Sequence, residues 1–230
     1  MRLAVIVPVL DEATVIESTL ASLAPARARG TRLIVVDGGS TDSTIERAQP
    51  LADRILKSPR GRAQQMNVGA RAALEDDADV LLFLHADCQL PDDADRMVRS
   101  ALQSSGCAWG RFDVRIETHR WLLKIVSTMM NFRSRLTGIC TGDQAIFVIR
   151  SAFETLGGFA PIPLMEDIEF SKRAGKISPP VAIGTRVRTS ARRWQTYGVW
   201  RTILMMWRFR LAYFFGADPH QLAQRYRDAR

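Results

Sequence analysis

The chain has 230 residues, 47% of them hydrophobic and 24% charged, which suffices for one substantial core and is short for two independent domains. Its 32 Lys and Arg residues against 24 Asp and Glu residues give a net charge of +8, which favours an anionic partner such as a phosphate-bearing substrate, a nucleic acid or an acidic membrane surface. The 3 cysteines are scattered without CxxC spacing, so they indicate neither a disulfide framework nor a zinc site, and a reducing cytoplasm fits them best.

Hydropathy gives no sign of a leader or a membrane span. The apolar run at residues 1–8 is too short for a signal-peptide core and has no small-residue cleavage site, so it predicts a buried strand. The apolar stretch at residues 199–215 is interrupted by Arg201, Arg208 and Arg210, and no stretch reaches the roughly 18 uncharged apolar residues of a spanning helix. We therefore expect a cytoplasmic protein.

Apolar runs alternate with helical patterns through the first hundred residues. Runs rich in Val, Ile and Leu predict strands at residues 3–7, 33–36 and 80–84, and their near-continuous apolar content is typical of strands buried on both faces. Helical spacing lies between them, at residues 13–23, 43–48 and 63–74. This alternation predicts a parallel sheet that is covered by helices.

After residue 87 a mixed α+β pattern replaces the regular alternation. Helices are predicted at residues 91–102, 121–132, 151–156 and 166–173, and strands at residues 108–117, 145–149 and 181–187. We therefore predict an α/β fold in one domain over residues 1–190, with a mostly parallel, Rossmann-like central sheet flanked by helices. Residues 191–230 are predicted to form a C-terminal amphipathic helical appendage, either within the same compact unit or in contact with a membrane or a second subunit.

Polar residues follow three of the predicted strands, where open α/β sheets bind their ligands. They are Asp11-Glu12, the segment DGGSTD at residues 37–42, and His85-Ala86-Asp87. Each set contains a carboxylate, and a phosphate site does not gather carboxylates without a cation or sugar hydroxyls, because like charges repel. A divalent metal between the protein carboxylates and a diphosphate resolves that conflict.

Five segments carry a family resemblance when they are taken together and in order. They are PVLDEA at residues 8–13, VVDGGSTD at 35–42, GRAQQMNVG at 61–69, LFLHADC at 82–88 and MEDIEF at 165–170. These segments resemble the motifs of family 2 glycosyltransferases, which have the GT-A fold, and the resemblance extends from about Leu3 to about Arg173. Three positions depart from the family pattern: Asp11 replaces an Asn, Gly38 replaces a second Asp, and His85 replaces the first Asp of the D-x-D metal motif.

The resemblance implies a nucleoside-diphosphate sugar as the donor, with UDP-sugars as the first expectation. We expect the donor to be bound by Pro8, Asp11, Glu12, Asp37, Gly39, Arg62, Asn67 and Asp143. Asp37 is expected to contact the nucleobase or ribose. Asn67 is expected to brace the loop that joins the helix predicted at residues 63–74 to the strand before it. Residues 142–144, which include Asp143, have two further interpretations. Either they line an acceptor pocket, or they merely form a turn.

The resemblance also implies a metal and a catalytic base. Asp87 is expected to ligate Mn²⁺ or Mg²⁺ at the diphosphate, where the ion stabilises the negative charge of the leaving group. His85 is a softer ligand that suits Mn²⁺ better than Mg²⁺ if it binds the ion directly. Asp167 is expected to take the proton from the acceptor hydroxyl, while Glu166 positions it or touches acceptor hydroxyls. A single displacement of this kind inverts the anomeric carbon.

Ordinary structural roles explain each of these residues when it is taken alone. Residues 35–42 form a plausible turn and helix cap, and Glu166 and Asp167 are acidic residues that stabilise the first turn of a helix. Asp87 is also suited to cap the helix that follows it, and Arg62 to be a solvated surface charge.

Three other functions compete with glycosyl transfer. A nucleotidyltransferase uses a similar sheet, nucleotide and metal, but its Gly-rich loop after the first strand is absent from residues 9–12. A non-catalytic nucleotide-binding protein is the alternative if Asp167 is inert. No nucleic-acid partner is expected, because the arginines are spread along the chain without an interleaved aromatic–basic motif. The sequence does not name the sugar, the base or the acceptor.

The last predicted helix carries an apolar stripe at helical spacing. Its members are Trp200, Ile203, Leu204, Trp207, Leu211, Phe214 and Phe215, flanked by Arg192, Arg193, Arg208 and Arg210. Tryptophans beside cations are typical of an interfacial helix on an anionic membrane, here at its inner face. The stripe is equally suited to pack on its own domain or on a second subunit of a homodimer. The basic segment 192–194 either closes over the diphosphate or simply connects two elements.

Overall fold

The computed structural model describes residues 1–118 and 120–228, except for the side chains of residues 193, 195, 197, 227 and 228. His119 therefore lies outside the described residues, and so does the side chain of Arg193. The strands are β1 (Leu3–Val9), β2 (Arg32–Asp37), β3 (Arg54–Lys57), β4 (Val80–Phe83), β5 (Cys88–Gln89), β6 (Trp109–Glu117), β7 (Phe147–Ile149) and β8 (Val181–Ser190).

Helices cover this sheet and extend the chain beyond it. They are α1 (Ile16–Ala21), α2 (Ala24–Ala28), α3 (Thr44–Ala48), α4 (Arg62–Glu75), α5 (Ala94–Ser105), α6 (Trp121–Thr137), α7 (Arg150–Leu156), α8 (Glu166–Ala174), α9 (Arg192–Tyr197), α10 (Val199–Phe214) and α11 (Pro219–Asp228). A 3₁₀ turn, Gly142–Gln144, precedes β7. Among the described residues, no helix is both long enough and apolar enough to cross a bilayer.

The strands form one mixed sheet in the order β3-β2-β1-β4-β7-β6-β8-β5. β1 pairs in parallel with β2 and β4, and β2 pairs in parallel with β3. β7 runs antiparallel to both of its neighbours, whereas β6 and β8 run parallel to each other. The carboxyl ends of β1, β2 and β4 therefore share one edge of the sheet. Neighbouring strands are about 4.8 Å apart, so β2 and β4 end about 10 Å from each other on either side of β1.

The central strands are buried because hydrophobic side chains cover both faces of the sheet. Every residue of β1 is buried, with Val5 and Val7 in the core on one face and Ile6 in the core on the other. Helix α4 lies close against the second face, since a Cβ on Gly69 would be 2.5 Å from Cγ2 of Ile6. This contact fixes the start of α4 beside the carboxyl end of β1.

The structure confirms the predicted α/β fold and differs in several element bounds. The helix predicted at residues 13–23 is shorter, at Ile16–Ala21, and a second helix that was not predicted, α2, follows it with a proline in its first turn. The two-residue strand β5 was not predicted, because its pairing with β8 depends on residues a hundred positions later in the chain. Helix α6 continues beyond the predicted end at residue 132, to Thr137, and ends at Gly138, which has a left-handed conformation.

The C-terminal segment makes hydrophobic contact with the rest of the chain. Leu123 of α6 and Val199 of α10 are buried in one small cluster, against which Ile203 packs. Most of the predicted stripe on α10 does not reach this cluster, and Trp200 and Trp207 remain 66% and 71% exposed. Packing on the chain's own domain therefore accounts for Ile203 but not for the two tryptophans.

Candidate active site

The turn after β2 is tied to the turn after β1 by hydrogen bonds of two predicted residues. Asp37 is 5% exposed, and its Oδ1 accepts a hydrogen bond from the backbone N–H of Ser40 at 2.9 Å. Asp11 accepts from the N–H of Thr41 at 2.7 Å, and its own N–H donates to Oγ of Ser40 at 3.0 Å. The structure therefore brings Asp11 and Asp37 to one place at the edge of the sheet.

Two other residues assigned to the donor lie in the same region. Pro8 is buried within β1 opposite Val36 of β2. Gly39 is exposed and has a φ of +95°, with no atom within 4 Å of the position that a Cβ would take. Glycine suits this position because a positive φ strains other residues, not because space is short.

A buried glutamine that the sequence analysis did not single out braces these two turns. The amide of Gln65, in α4, donates to the carbonyl of Val9 at 2.7 Å and to that of Val36 at 2.8 Å. Its side chain also fills the space beside Gly38, where a Cβ would lie 3.0 Å from it. The signal in the sequence was a polar residue on the buried face of a helix, within the segment GRAQQMNVG.

Arg192 lies between the first turn and the end of β4. Its Nη2 donates to Oε2 of Glu12 at 2.6 Å and its Nη1 to Oγ1 of Thr14 at 3.1 Å. The hydrogen bond to Glu12 raises the pKa of Arg192 despite partial burial, and the carboxylate of Asp87 adds to this effect. The first residue of α9 thus reaches Glu12, which was predicted to bind the donor.

Four side chains with metal-ligand atoms converge after β4. They are His85, Asp87, Cys88 and Asp143, and their ligand atoms all lie within 4.8 Å of one another. Nδ1 of His85 is 3.0 Å from Oδ1 of Asp143. Burial raises the pKa of the Cys88 thiol well above its usual range, so the imidazole and the two carboxylates are the stronger donors. This set fits a divalent cation that accepts both oxygen and nitrogen ligands.

The 3₁₀ turn joins this cluster to the predicted base. The backbone N–H of Gly142 donates to Oδ2 of Asp167 at 3.0 Å, and the next residue along the chain is Asp143. The ring of His85 lies against Gly142 so closely that a Cβ there would be 2.1 Å from Nε2. One turn of the chain therefore sets the distance between the candidate metal ligands and Asp167.

Glu166 and Arg62 form an ion pair at the base of the site. Glu166 is 4% exposed, and Nη1 of Arg62 lies 3.3 Å from its Oε1. Burial raises the pKa of Glu166 and the neighbouring Asp167 adds to the increase, while Arg62 opposes it. Burial lowers the pKa of Arg62, but the carboxylates of Glu166, Asp143 and Asp167 outweigh burial, so the net change is upward. Arg62 is thus the cation that these carboxylates share.

Asn67 braces a different loop from the one predicted. Its amide donates to the carbonyl of Phe159 at 2.8 Å and accepts from the N–H of Phe159 at 2.9 Å. Both bonds hold the loop that leads into α8, not the loop between β3 and α4. Asn67 thereby helps to place α8 and its first residues, Glu166 and Asp167.

A small concavity opens between these elements. It is lined by Arg62, Met66, Phe83, His85, Gly142, Ile146, Phe159, Glu166 and Asp167. Its walls combine apolar side chains with the candidate base and its charged neighbours, as small-molecule sites commonly do.

Comparison with known proteins identifies the family. A family model described as Glycosyl transferase family 2 matches residues 4–156, more than half of the chain. A PGL/p-HBAD biosynthesis glycosyltransferase of Mycobacterium tuberculosis is 31% identical over 167 residues, which cover 67% of this chain and 62% of that protein. The chain thus spans about three fifths of the length of this curated relative.

Two solved structures are similar in fold. S. aureus TarS 1–349 in complex with UDP-GlcNAc is 16% identical, with a TM-score of 0.65 over 83% of this chain and 58% of TarS 1–349. The mannosyltransferase PcManGT from Pyrobaculum calidifontis, in complex with GDP-Man and Mn²⁺, is 20% identical, with a TM-score of 0.63 over 92% of this chain and 61% of its own. The predicted GT-A fold is therefore confirmed, and the chain belongs to glycosyl transferase family 2.

Proposed function

We propose that this protein transfers a sugar from a nucleoside-diphosphate sugar to an acceptor hydroxyl, with inversion and with the help of a divalent cation. One observation supports this function above the others. The 3₁₀ turn places Asp143 in the candidate metal cluster with His85, while the N–H of the adjacent Gly142 binds Asp167. A cation site and a carboxylate base at fixed separation are what a single displacement at a sugar diphosphate requires.

The donor extends along the edge of the sheet from the turns of β1 and β2 to the end of β4. Asp37 and Asp11 contact the nucleoside. Gly39 permits the tight turn that follows Asp37. Glu12 with Arg192 closes this part of the site, and Arg62 approaches the diphosphate. UDP-sugars are the first choice of donor. The similar TarS structure contains UDP-GlcNAc, whereas PcManGT contains GDP-Man, so the test below compares donors with different nucleobases.

Asp87 and Asp143 would hold Mn²⁺ or Mg²⁺, with His85 as the third ligand and Cys88 as the weakest donor. When bound, such an ion stabilises the negative charge that develops on the departing diphosphate. His85 favours Mn²⁺ over Mg²⁺, because imidazole is a softer ligand than carboxylate. The acidic residues of this cluster stand close together, and a cation relieves the repulsion between them.

Asp167 takes the proton from the acceptor hydroxyl. The Gly142 N–H fixes one of its oxygens, and the N–H of Ile168 binds the other at 2.8 Å, so its carboxylate has a defined orientation. The Arg62–Glu166 pair lies next to it and supports its position. A positioned carboxylate base contributes typically about 10²–10⁴-fold to the rate.

Product analysis tests this function against its rivals. The protein is incubated with UDP-, GDP- and dTDP-sugars, with Mn²⁺, with Mg²⁺ or with a chelator, and the released phosphates are separated. Glycosyl transfer or slow donor hydrolysis releases a nucleoside diphosphate. A nucleotidyltransferase, in a parallel reaction with added pyrophosphate, instead converts the nucleoside-diphosphate sugar into a nucleoside triphosphate and a sugar 1-phosphate. Binding without any metal-dependent release from the whole panel would identify a nucleotide-binding protein without catalytic activity.

Peripheral attachment to an anionic membrane is the second part of the proposal. The exposed apolar side chains of α6 and α10 are Trp121, Ile125, Met129, Phe132, Leu136, Trp200, Leu204, Trp207, Leu211 and Phe214. Neither helix contains an Asp or Glu, and both carry exposed cations, such as Lys124 and Arg208. Apolar area to insert beside cations matches a surface of anionic lipid.

Vesicle flotation tests the attachment. Wild type should rise with vesicles that contain anionic lipid at low salt, while the double variant Trp200→Ser/Trp207→Ser should stay below. Ile177→Ser removes an exposed apolar side chain outside both helices and serves as the matched control that still floats. Wild type that stays at the bottom would contradict membrane attachment. A dimer that buries both tryptophans would show that the surface contacts a second subunit and not a membrane.

A further inference from the structure

Two arginines have buried guanidinium N–H groups that no described residue accepts. Among the residues that the structure describes, none accepts a hydrogen bond from Nε or Nη2 of Arg133 or from Nε of Arg210, although all three atoms are buried. Arg133 lies on α6 and Arg210 on α10. A buried N–H group with no partner is unfavourable, and native proteins usually pair it with protein, water or a ligand.

These two cations act on each other and on the candidate base. Burial and the positive charge of Arg210 together lower the pKa of Arg133 to about 10, although the carboxylate of Asp167 acts in the opposite direction. Arg111 adds a third positive charge nearby, but it is already hydrogen-bonded to Asp113. Asp167 is thus the carboxylate that acts on Arg133, while two further arginines act against it.

We propose that Arg133 and Arg210 together bind an anionic group of the acceptor, of the phosphate class, and so present its hydroxyl to Asp167. This rests on the proposed role of Asp167 as the base. A planar guanidinium with several N–H donors suits the oxygens of a phosphate, and two such groups neutralise its double charge. Binding the anion satisfies the unpartnered donors and removes the repulsion between the two cations.

The arginines belong to the acceptor rather than to the donor because of the elements that carry them. The donor site is built from the ends of β1, β2 and β4 and from the metal cluster. Helix α6 instead lies near the first turn of α8, since the charges of Arg133 and Asp167 interact. Lys172 of α8 also lies 5.1 Å from the ring of Tyr213, which follows Arg210 on α10 by three residues.

Two sources supply this chemistry, a soluble phosphate ester or a phosphate headgroup in a membrane. The same two helices carry the exposed apolar surface described above, so a phosphate near a lipid surface and one in solution both reach the site. The shared feature is the anion, and the test separates its sources.

Calorimetric titration with inorganic phosphate tests the site. Wild type saturated with UDP and Mg²⁺ should bind phosphate, and Arg133→Met and Arg210→Met should each weaken that binding by about tenfold or more. Arg208→Met, which removes an exposed cation two residues from Arg210 on the same helix, should change it less than about twofold. The same variants should bind UDP as wild type does.

Three results overturn the inference. The first is equal phosphate affinity in all four proteins. The second is loss of phosphate binding once UDP is bound, which places the anion in the diphosphate site. The third is equal weakening by Arg208→Met, which indicates an adventitious ion only. If wild type fails to bind UDP, the proposed function fails while the phosphate titration still reports on the arginines.

Vesicles distinguish the two sources of phosphate. Vesicles of phosphatidylcholine with phosphatidic acid, compared with phosphatidylcholine alone, are added to the protein in the presence of inorganic phosphate. Displacement of phosphate by phosphatidic acid from wild type, with no such competition in the Arg133→Met variant, supports the site with a lipid source. Phosphate binding that the vesicles do not affect supports the site with a soluble source.

Discussion

The imidazole of His85 lies where a side chain at position 142 would have to be. A Cβ on Gly142 would be 2.1 Å from Nε2 and 2.3 Å from Cε1 of the ring, well inside van der Waals contact. The N–H of the same glycine binds Asp167. Gly142 is thus a junction between the candidate metal cluster and the candidate base, and a side chain there disturbs both.

Gly142→Ala should therefore weaken metal-dependent nucleotide binding. The added methyl displaces His85 from Asp143, and loss of an oriented ligand typically costs 10- to 100-fold in metal affinity or activity, so we expect roughly tenfold or more. Calorimetry with UDP in the presence of Mn²⁺ measures the effect. Gly184→Ala is the matched control, since the nearest atom to its Cβ is 3.9 Å away. Unchanged Mn²⁺-assisted binding in Gly142→Ala would show that His85 does not support the ion.

Asp87→Ala should abolish metal-dependent donor binding and leave the fold intact. Its carboxylate is partly exposed at the end of the sheet, so its removal leaves no large cavity. Adding a chelator to wild type should reproduce the loss. Asp92→Ala removes an exposed carboxylate from the next loop, between β5 and α5, and should bind like wild type. Nucleotide binding that still responds to Mn²⁺ in Asp87→Ala excludes Asp87 as the metal residue.

The strands and the polar residues after them could be predicted because both are local features. Continuous apolar runs predicted β1, β2 and β4. Because β1 and β2 are parallel neighbours, Asp11 and Asp37 lie together in the turns that follow them. The order of the five motifs predicted the family, which the comparison confirmed. Neither step needed any knowledge of which distant residues touch.

Contacts between distant residues account for what was missed. Asp143 joined the metal cluster through its contact with His85, 58 positions away, and Asn67 reached Phe159 across 92 positions of sequence. In the sequence, Arg133 is one more basic residue of an amphipathic helix. The residues around it in the sequence do not indicate that its neighbour is Arg210. The partner of a polar side chain is decided by tertiary packing, which a periodic pattern does not encode.

Gln65→Met should destabilise the fold by about 1–3 kcal/mol. The substitution keeps the volume but leaves the carbonyls of Val9 and Val36 without the amide that binds them. Urea unfolding of the variant measures the loss, and Gln64→Met, at an exposed position of the same helix, is the control. Equal stability of the two variants would mean that water replaces the amide without cost.

The central claim is that Asp167 is the base of an inverting sugar transfer. The most direct test is to follow slow donor hydrolysis by proton NMR, with Mg²⁺ and an α-linked nucleotide sugar, in wild type and in Asp167→Asn. Wild type should release the β-anomer first, and Asp167→Asn should bind the donor normally while its rate falls by about 10²-fold or more. Release of the α-anomer first, or a wild-type rate in Asp167→Asn, would contradict the account.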